Sequence, residues 1–201
     1  MPDTDFFSVI RSQRGVRYYK PDPVSDEDIK RILQAAVWAP SGSNKQPWRF
    51  IVVRDPAIKK RLGELGLEGS ATARGDSVVA PAPKEGPINF NYAAEKLPVF
   101  IMVCMEKGGA QRRDILRGGS IFPAVQNLML AAAALGLGTR LTTIWHHKDD
   151  EVAELLGIPD DFEAVALLPL GYPEEPDHLG GSKRTPAKEL TFLDHWGRPA
   201  S

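Results

Sequence analysis

Pro40-Ser41-Gly42-Ser43-Asn44-Lys45-Gln46-Pro47-Trp48 joins a helix to a strand and carries more polar groups than such a joint needs. Upstream, Ser25-Asp26-Glu27-Asp28 has the form of a capping box, with aspartate where glutamate is commoner. Ile29, Ile32, Leu33, Ala36 and Val37 then recur at helical spacing and give one apolar face. Pro40 stops that helix, because the residue before a proline is pushed out of helical geometry. Downstream, Phe50-Ile51-Val52-Val53 reads as a strand. Between the two prolines, Ser41, Gly42, Asn44 and Gln46 offer side-chain donors and backbone amides in a rigid loop, a form suited to the edge of a heteroaromatic ring. The plainer alternative is a helix-to-strand turn with Trp48 as core.

On the N-terminal side, Thr4 or Asp5 can cap a short helix through Ile10, followed by the basic run Arg11-Ser12-Gln13-Arg14-Gly15-Val16-Arg17-Tyr18-Tyr19-Lys20 and the break Pro21-Asp22-Pro23. Arg14 and Arg17 suit phosphate, since the guanidinium fork matches its oxygens and the charge never titrates away. A solvated basic turn is the alternative, because most surface charge has no ligand. On the C-terminal side, Asp55-Pro56 is a second helix start, with Ile58, Leu62 and Leu65 as its stripe. Residues 66–94 then lose all periodicity to glycine, alanine, serine and proline, which reads as a lid or a partly ordered loop.

Residues 97–105 form an unbroken apolar run and read as a buried strand. Residues 120–135 read as a helix apolar nearly all round, stopped by Gly136, and so central or at a subunit interface. Residues 137–143 and 164–170 read as strands, with a short helix over 149–156 between them. Two weaker clusters complete the polar inventory: Leu141-Thr142-Thr143-Ile144-Trp145 at a strand end, and the cationic Ser182-Lys183-Arg184-Thr185-Pro186 in the tail. No repeat or internal boundary interrupts residues 1–201, which read as a single domain.

Composition narrows the function. The 201 residues are 42% hydrophobic and 25% charged with a net charge of -1, without the basic excess of a nucleic-acid binder. The N-terminus lacks a signal peptide and no apolar run reaches the ~20 residues of a membrane span, so the expected location is the cytoplasm, with no membrane partner. Cys104, the only cysteine, reads as a buried thiol. His146, His147 and His195 lack a third ligand at recognisable spacing, so no metal site is expected.

Taken together, these motifs resemble the flavin nitroreductase family. Its Arg-Arg-Ser-x-Arg opening is matched at Arg14, Arg17 and the aromatic Tyr18. Its Pro-Ser-x-x-Asn-x-Gln-Pro-Trp loop is unbroken over residues 40–48, and Leu168-Pro169-Leu170-Gly171-Tyr172-Pro173 and Lys183-Arg184-Thr185-Pro186 stand where the family has Leu-Pro-x-Gly-x-Pro and a basic element.

The resemblance implies an α+β fold, a central mainly antiparallel sheet flanked by helices, in an intertwined homodimer with two FMN molecules each touched by both chains. It implies that Arg14, Arg17 and Arg184 hold the phosphate and ribityl chain, with residue 13 beside them. Ser41, Gly42, Asn44 and Gln46 would line the ring, with Thr142 and Thr143 on another edge. The implied activity is ping-pong reduction of nitroaromatic, quinone or related small acceptors by NADH or NADPH. The flavin carries that chemistry, so no side chain is assigned a catalytic role. Residues 66–94 are expected to be a lid and the tail an arm across the partner.

Two positions depart from the pattern: Gln13 replaces the family's first arginine and Gly15 its serine. A charged hydrogen bond contributes about 1.5–3 kcal/mol, so FMN binding is loosened unless another group compensates. The competing readings are a non-catalytic flavin or small-ligand binder and a dehalogenase-type relative. The latter's lid carries a glutamate, a tyrosine and a lysine, and here only Tyr92, Glu95 and Lys96 stand near the end of the lid segment.

Overall fold

In the computed structural model the described residues are 5–75, 88–90, 93–108, 114–174 and 183–198. Among these residues five α-helices and four strands follow one another as α1 (Phe6–Ser12), α2 (Asp26–Val37), β1 (Trp48–Val53), α3 (Pro56–Arg74), β2 (Val99–Glu106), α4 (Asp114–Ala134), β3 (Gly138–Thr139), α5 (Asp149–Leu156) and β4 (Phe162–Gly171). The strands form one sheet in the order β1-β2-β4-β3, antiparallel throughout. The expected α+β fold with a central antiparallel sheet is what the chain adopts.

β2 shows why its sequence reads as unbroken apolar. Val99, Ile101, Val103 and Met105 face one core, and Phe100, Met102 and Cys104 face the other. α2 and α4 cover the first face with Ile29, Ile32, Ile121, Val125 and Leu128, while α3 and α5 cover the second with Leu62, Leu65 and Val152. A strand buried on both faces has no solvent side to alternate toward. Cys104 is buried as expected, and loss of water raises its thiol pKa to about 11, so it stays protonated at neutral pH.

The helix starts were legible. Ser25 accepts the Asp28 amide at 3.0 Å and donates its hydroxyl to the Asp28 carboxylate at 2.8 Å. Asp55 accepts the amides of Ala57 and Ile58, with Pro56 at the first helical position. Trp48 is core, and β1 begins there rather than at Phe50.

Three expectations need correction. α3 does not fade near Gly66 but runs to Arg74 and stops at Gly75, which has φ +74°. Its contact face there is glycine: a Cβ on Gly66 would lie 2.7 Å from the Phe90 ring, and one on Gly69 would lie 2.5 Å from the Ile144 carbonyl oxygen. The remainder of the expected lid, residues 76–87 and 91–92, lies outside the described residues, as does Tyr92. The expected strand over 137–143 shrinks to two residues, with Thr142 returning to Leu167 as an isolated bridge. The apolar helix begins earlier, at Asp114, and holds Pro123 within it. Proline has no N–H for the carbonyl one turn back, so one hydrogen bond of the helix is missing at that turn.

Candidate functional site

The basic segment is locked to the strand end that bears the threonines. Gly15 pairs with Thr139 in parallel, and the Val16 amide donates to the Thr139 carbonyl at 2.9 Å. The fit leaves no slack, since a Cβ on Gly138 would sit 2.5 Å from Val16 Cγ2. Tyr19 closes the turn from the other side. Its buried hydroxyl donates to the Val16 carbonyl at 2.9 Å, and burial pushes its pKa upward against the pull of the Arg140 charge. Arg14, Arg17, Thr142 and Thr143 therefore stand on two adjoining segments.

Two buried polar atoms there lack partners: Arg14 Nε and Thr142 Oγ1. The rest of each residue is anchored. Arg14 Nη1 donates to the Gln13 carbonyl, and the Thr142 backbone exchanges both hydrogen bonds with Leu167, at 2.9 and 3.0 Å. An unpaired buried donor or acceptor costs about 1–3 kcal/mol, so two in adjoining segments point to a polar ligand that completes them. Thr142→Val is accordingly expected to raise the melting temperature of the ligand-free protein slightly and to weaken the ligand several-fold. Scanning calorimetry and a binding titration read the two opposite signs, and a loss of apo stability would show the hydroxyl to be structural.

The polar loop is strained and internally committed. Ser43, Asn44 and Gln46 all have positive φ, at 56°, 53° and 50°. That conformation costs L residues about 1–2 kcal/mol each and is mild only for asparagine. Ser41 holds the turn, its hydroxyl accepting the Gln46 amide at 3.0 Å and its carbonyl accepting the Asn44 amide at 3.0 Å. The Gly42 amide donates to the buried Ser120 hydroxyl at 3.1 Å. The backbone donors of Gly42, Asn44 and Gln46 are thus used within the chain, whereas the Asn44 and Gln46 side chains are exposed and the Ser41 hydroxyl keeps its own proton to donate.

α4 separates this loop from the basic segment. The loop is tied to Ser120, while Gln13 Nε2 reaches Met129 Sδ at 3.8 Å. The two helix positions are nine residues apart; at about 100° and 1.5 Å per residue they lie on opposite faces, about 13 Å apart along the axis. One chain brings Gln13, Arg14, Arg17, Thr142 and Thr143 together, and holds Ser41, Gly42, Asn44 and Gln46 beyond the helix. Arg184 is exposed and donates to the Lys183 carbonyl at 3.2 Å, and it makes no hydrogen bond or ion pair with the described residues of either group.

Sequence reasoning missed Ser120 and Arg140. Ser120 is a small polar residue beside the apolar Ile121-Phe122-Pro123-Ala124-Val125 stretch of the helix, a visible signal of a bond made inward. Arg140 interrupts an apolar strand end and lies against the basic segment: a Cβ on Gly15 would be 3.7 Å from Arg140 Cγ. An open groove of about 540 Å³ between α2 and the end of α4, lined by Lys30, Arg31, Trp38 and Leu135 among others, includes none of these residues. Among the described residues no cluster of histidine, cysteine and carboxylate could hold a metal, and no helix is long and apolar enough to cross a membrane.

The comparisons with known proteins agree with this architecture. A Thermus thermophilus NADH dehydrogenase is 31% identical over 187 residues, covering 87% of this chain and 90% of that protein. The rat iodotyrosine deiodinase 1 is 29% identical over 185 residues, covering 86% of this chain and 64% of its own length. A Desulfovibrio desulfuricans protein solved in complex with FMN superposes with a TM-score of 0.69 at 26% identity, over 94% of this chain and 96% of that one. The pattern of the Nitroreductase family matches residues 10–172, the span that holds the basic segment, the strained loop and the Thr142–Leu167 bridge, and the chain belongs to that family.

Proposed function

We propose that the protein is an FMN-dependent oxidoreductase that takes electrons from NADH or NADPH and passes them to nitroaromatic, quinone or related small acceptors. The observation that carries this reading is the pair of unpartnered buried atoms, Arg14 Nε and Thr142 Oγ1, on two segments locked together by the Gly15–Thr139 bridge. The residues present fit the cofactor. Arg14 and Arg17 supply fixed cationic donors for a phosphate, which carries about -1.5 to -2 at neutral pH. Thr142 supplies a hydroxyl on a backbone held to Leu167 by two hydrogen bonds. When bound, FMN supplies the redox chemistry, and the chain orients it and shapes what approaches it.

The same reading makes the protein a homodimer. The loop lies across α4 from the basic segment, so a ring held by Arg14 and Thr142 meets Asn44 and Gln46 only from a second copy. Exposed apolar side chains give that copy a surface: Phe7 is 76% exposed on α1, Phe122 is exposed on α4, and Trp196 in the tail is 92% exposed. Burying them against a second copy would remove that apolar surface from water. Arg184 follows in that tail, and in this arrangement its guanidinium reaches the phosphate of the shared site.

The experiment is anaerobic. The purified protein, yellow with FMN, is mixed with NADH or NADPH, then with nitroaromatics, quinones and halogenated phenols in turn. Bleaching by the nucleotide and return of colour with a nitroaromatic or quinone is the expected result. A flavin that stays oxidised would make the protein a carrier, and turnover with halogenated phenols alone would make it a dehalogenase. Sedimentation of the same sample is expected to give twice the chain mass, and an FMN-bound monomer would defeat the shared site.

A further inference from the structure

Several guanidinium groups elsewhere on the molecule pair with carboxylates: Arg31 with Asp28, Arg54 with Asp26, Arg61 with Glu64 and Glu68, Arg117 with Glu163 and Arg198 with Asp194. Arg14, Arg17 and Arg140 have no such match among the described residues. All three belong to the adjoining segments joined by the Gly15–Thr139 bridge, and the Arg140 stem lies beside the backbone of residue 15, between the other two in sequence. An anion seated between these two segments would gain charge-assisted hydrogen bonds from such cationic side chains.

Position 13 explains why a third cation belongs here. The family pattern has two adjacent arginines, and this chain has one, at Arg14. The Gln13 amide is neutral and turned toward Met129 on α4. Arg140 brings a guanidinium to the same segment across the bridge rather than along the chain. The tight contact of Gly138 with Val16 keeps the two segments from sliding apart, so the Arg140 backbone stays beside residue 15.

We propose that Arg140 is a further guanidinium of the phosphate-binding cluster, brought beside Arg14 and Arg17 by their own chain in addition to Arg184 of the tail, and supplying the cation that position 13 lacks. The ligand class is a phosphate monoester dianion, and the proposal rests on the reading of the cofactor as FMN. A guanidinium recognises that dianion by charge and by paired N–H donors, and it offers little to the same flavin without its phosphate.

The test compares FMN with riboflavin, which lacks the phosphate. Apo-protein is titrated with each flavin and followed by the quenching of flavin fluorescence. Arg140→Gln is expected to weaken FMN at least about tenfold, which corresponds to about 1.4 kcal/mol, and riboflavin less than about twofold. Adding Gln13→Arg to the Arg140→Gln variant is expected to recover most of the FMN affinity, because a cation returns to the cluster from the other segment. Unchanged FMN affinity in Arg140→Gln overturns the proposal. Equal loss for both flavins also overturns it, since Arg140 would then be shaping the pocket rather than holding phosphate. A wild-type chain that binds neither flavin overturns the FMN reading and this proposal together, whereas wild-type binding of FMN with an unaffected variant overturns this proposal alone. Melting curves of the apo variants within about 2 °C of wild type exclude loss of the fold as the cause, a shift of about 1 kcal/mol or less for a chain of this size.

Discussion

Gly69→Ala is expected to lower the melting temperature by about 4–8 °C, although helix propensity alone argues for the opposite sign. In an exposed helix, alanine in place of glycine gains about 1 kcal/mol. On α3, however, the new Cβ would lie 2.5 Å from the Ile144 carbonyl oxygen and 3.0 Å from Trp145 Cα, both backbone atoms. Backbone cannot swing aside as a flexible side chain can, so the cost falls at or above the upper end of the roughly 1–3 kcal/mol typical of overpacking. The net loss is about 2 kcal/mol, and each kcal/mol is worth about 2–4 °C in a chain of this size. Residues 144–145 follow directly on Thr142 and Thr143, so the displacement reaches the site and FMN affinity is expected to fall as well. Thermal denaturation with and without FMN measures both. A stabilised apo-protein would mean that α3 does not dock against residues 144–145 as described.

The same glycines mark the limit of what the chain discloses in one dimension. Where a helix buries large side chains, as α2 does with Ile29 and Ile32, the period of 3.6 is plain. Gly63, Gly66 and Gly69 recur on one side of α3, and there the close approach is made by the absence of a side chain. A search for apolar stripes sees nothing, and the helix therefore looked like the start of a loop. β2 was legible as buried because both of its faces are covered, but the sheet order was not, since it depends on pairings between distant segments.

The site divides along the same line. The strained loop was legible because its composition is peculiar, with two prolines enclosing Ser41, Gly42, Asn44 and Gln46. The role of Ser120 as acceptor for the Gly42 amide was not, because that bond spans 78 residues. Arg140 was invisible as part of the basic cluster for a similar reason: only the parallel bridge from Gly15 to Thr139 sets it beside Arg14 and Arg17. The assignment of the loop and the basic segment to opposite sides of α4 also needed the fold, and it gives the expectation of a shared site a geometric cause.

The largest effect on the cofactor is expected from removing the guanidinium groups of Arg14 and Arg17 together. In the double variant Arg14→Met and Arg17→Gln, the methionine keeps the half-buried stem of residue 14 packed while discarding its polar head. Each charged hydrogen bond contributes about 1.5–3 kcal/mol, so FMN affinity is expected to fall by about 10² to 10⁴-fold, with riboflavin affinity little changed. The apo-protein should move the other way. Arg14 Nε is buried without a partner, so its removal relieves an unsatisfied donor. A binding site that is strained when empty gives this pair of signs, whereas arginines holding the turn together give a loss on both axes. Flavin titration and apo-protein melting, run on the same preparation, separate the two. A lower apo melting temperature with unchanged FMN affinity would remove Arg14 and Arg17 from the site and leave the unpaired Arg14 Nε without the ligand assigned to it here.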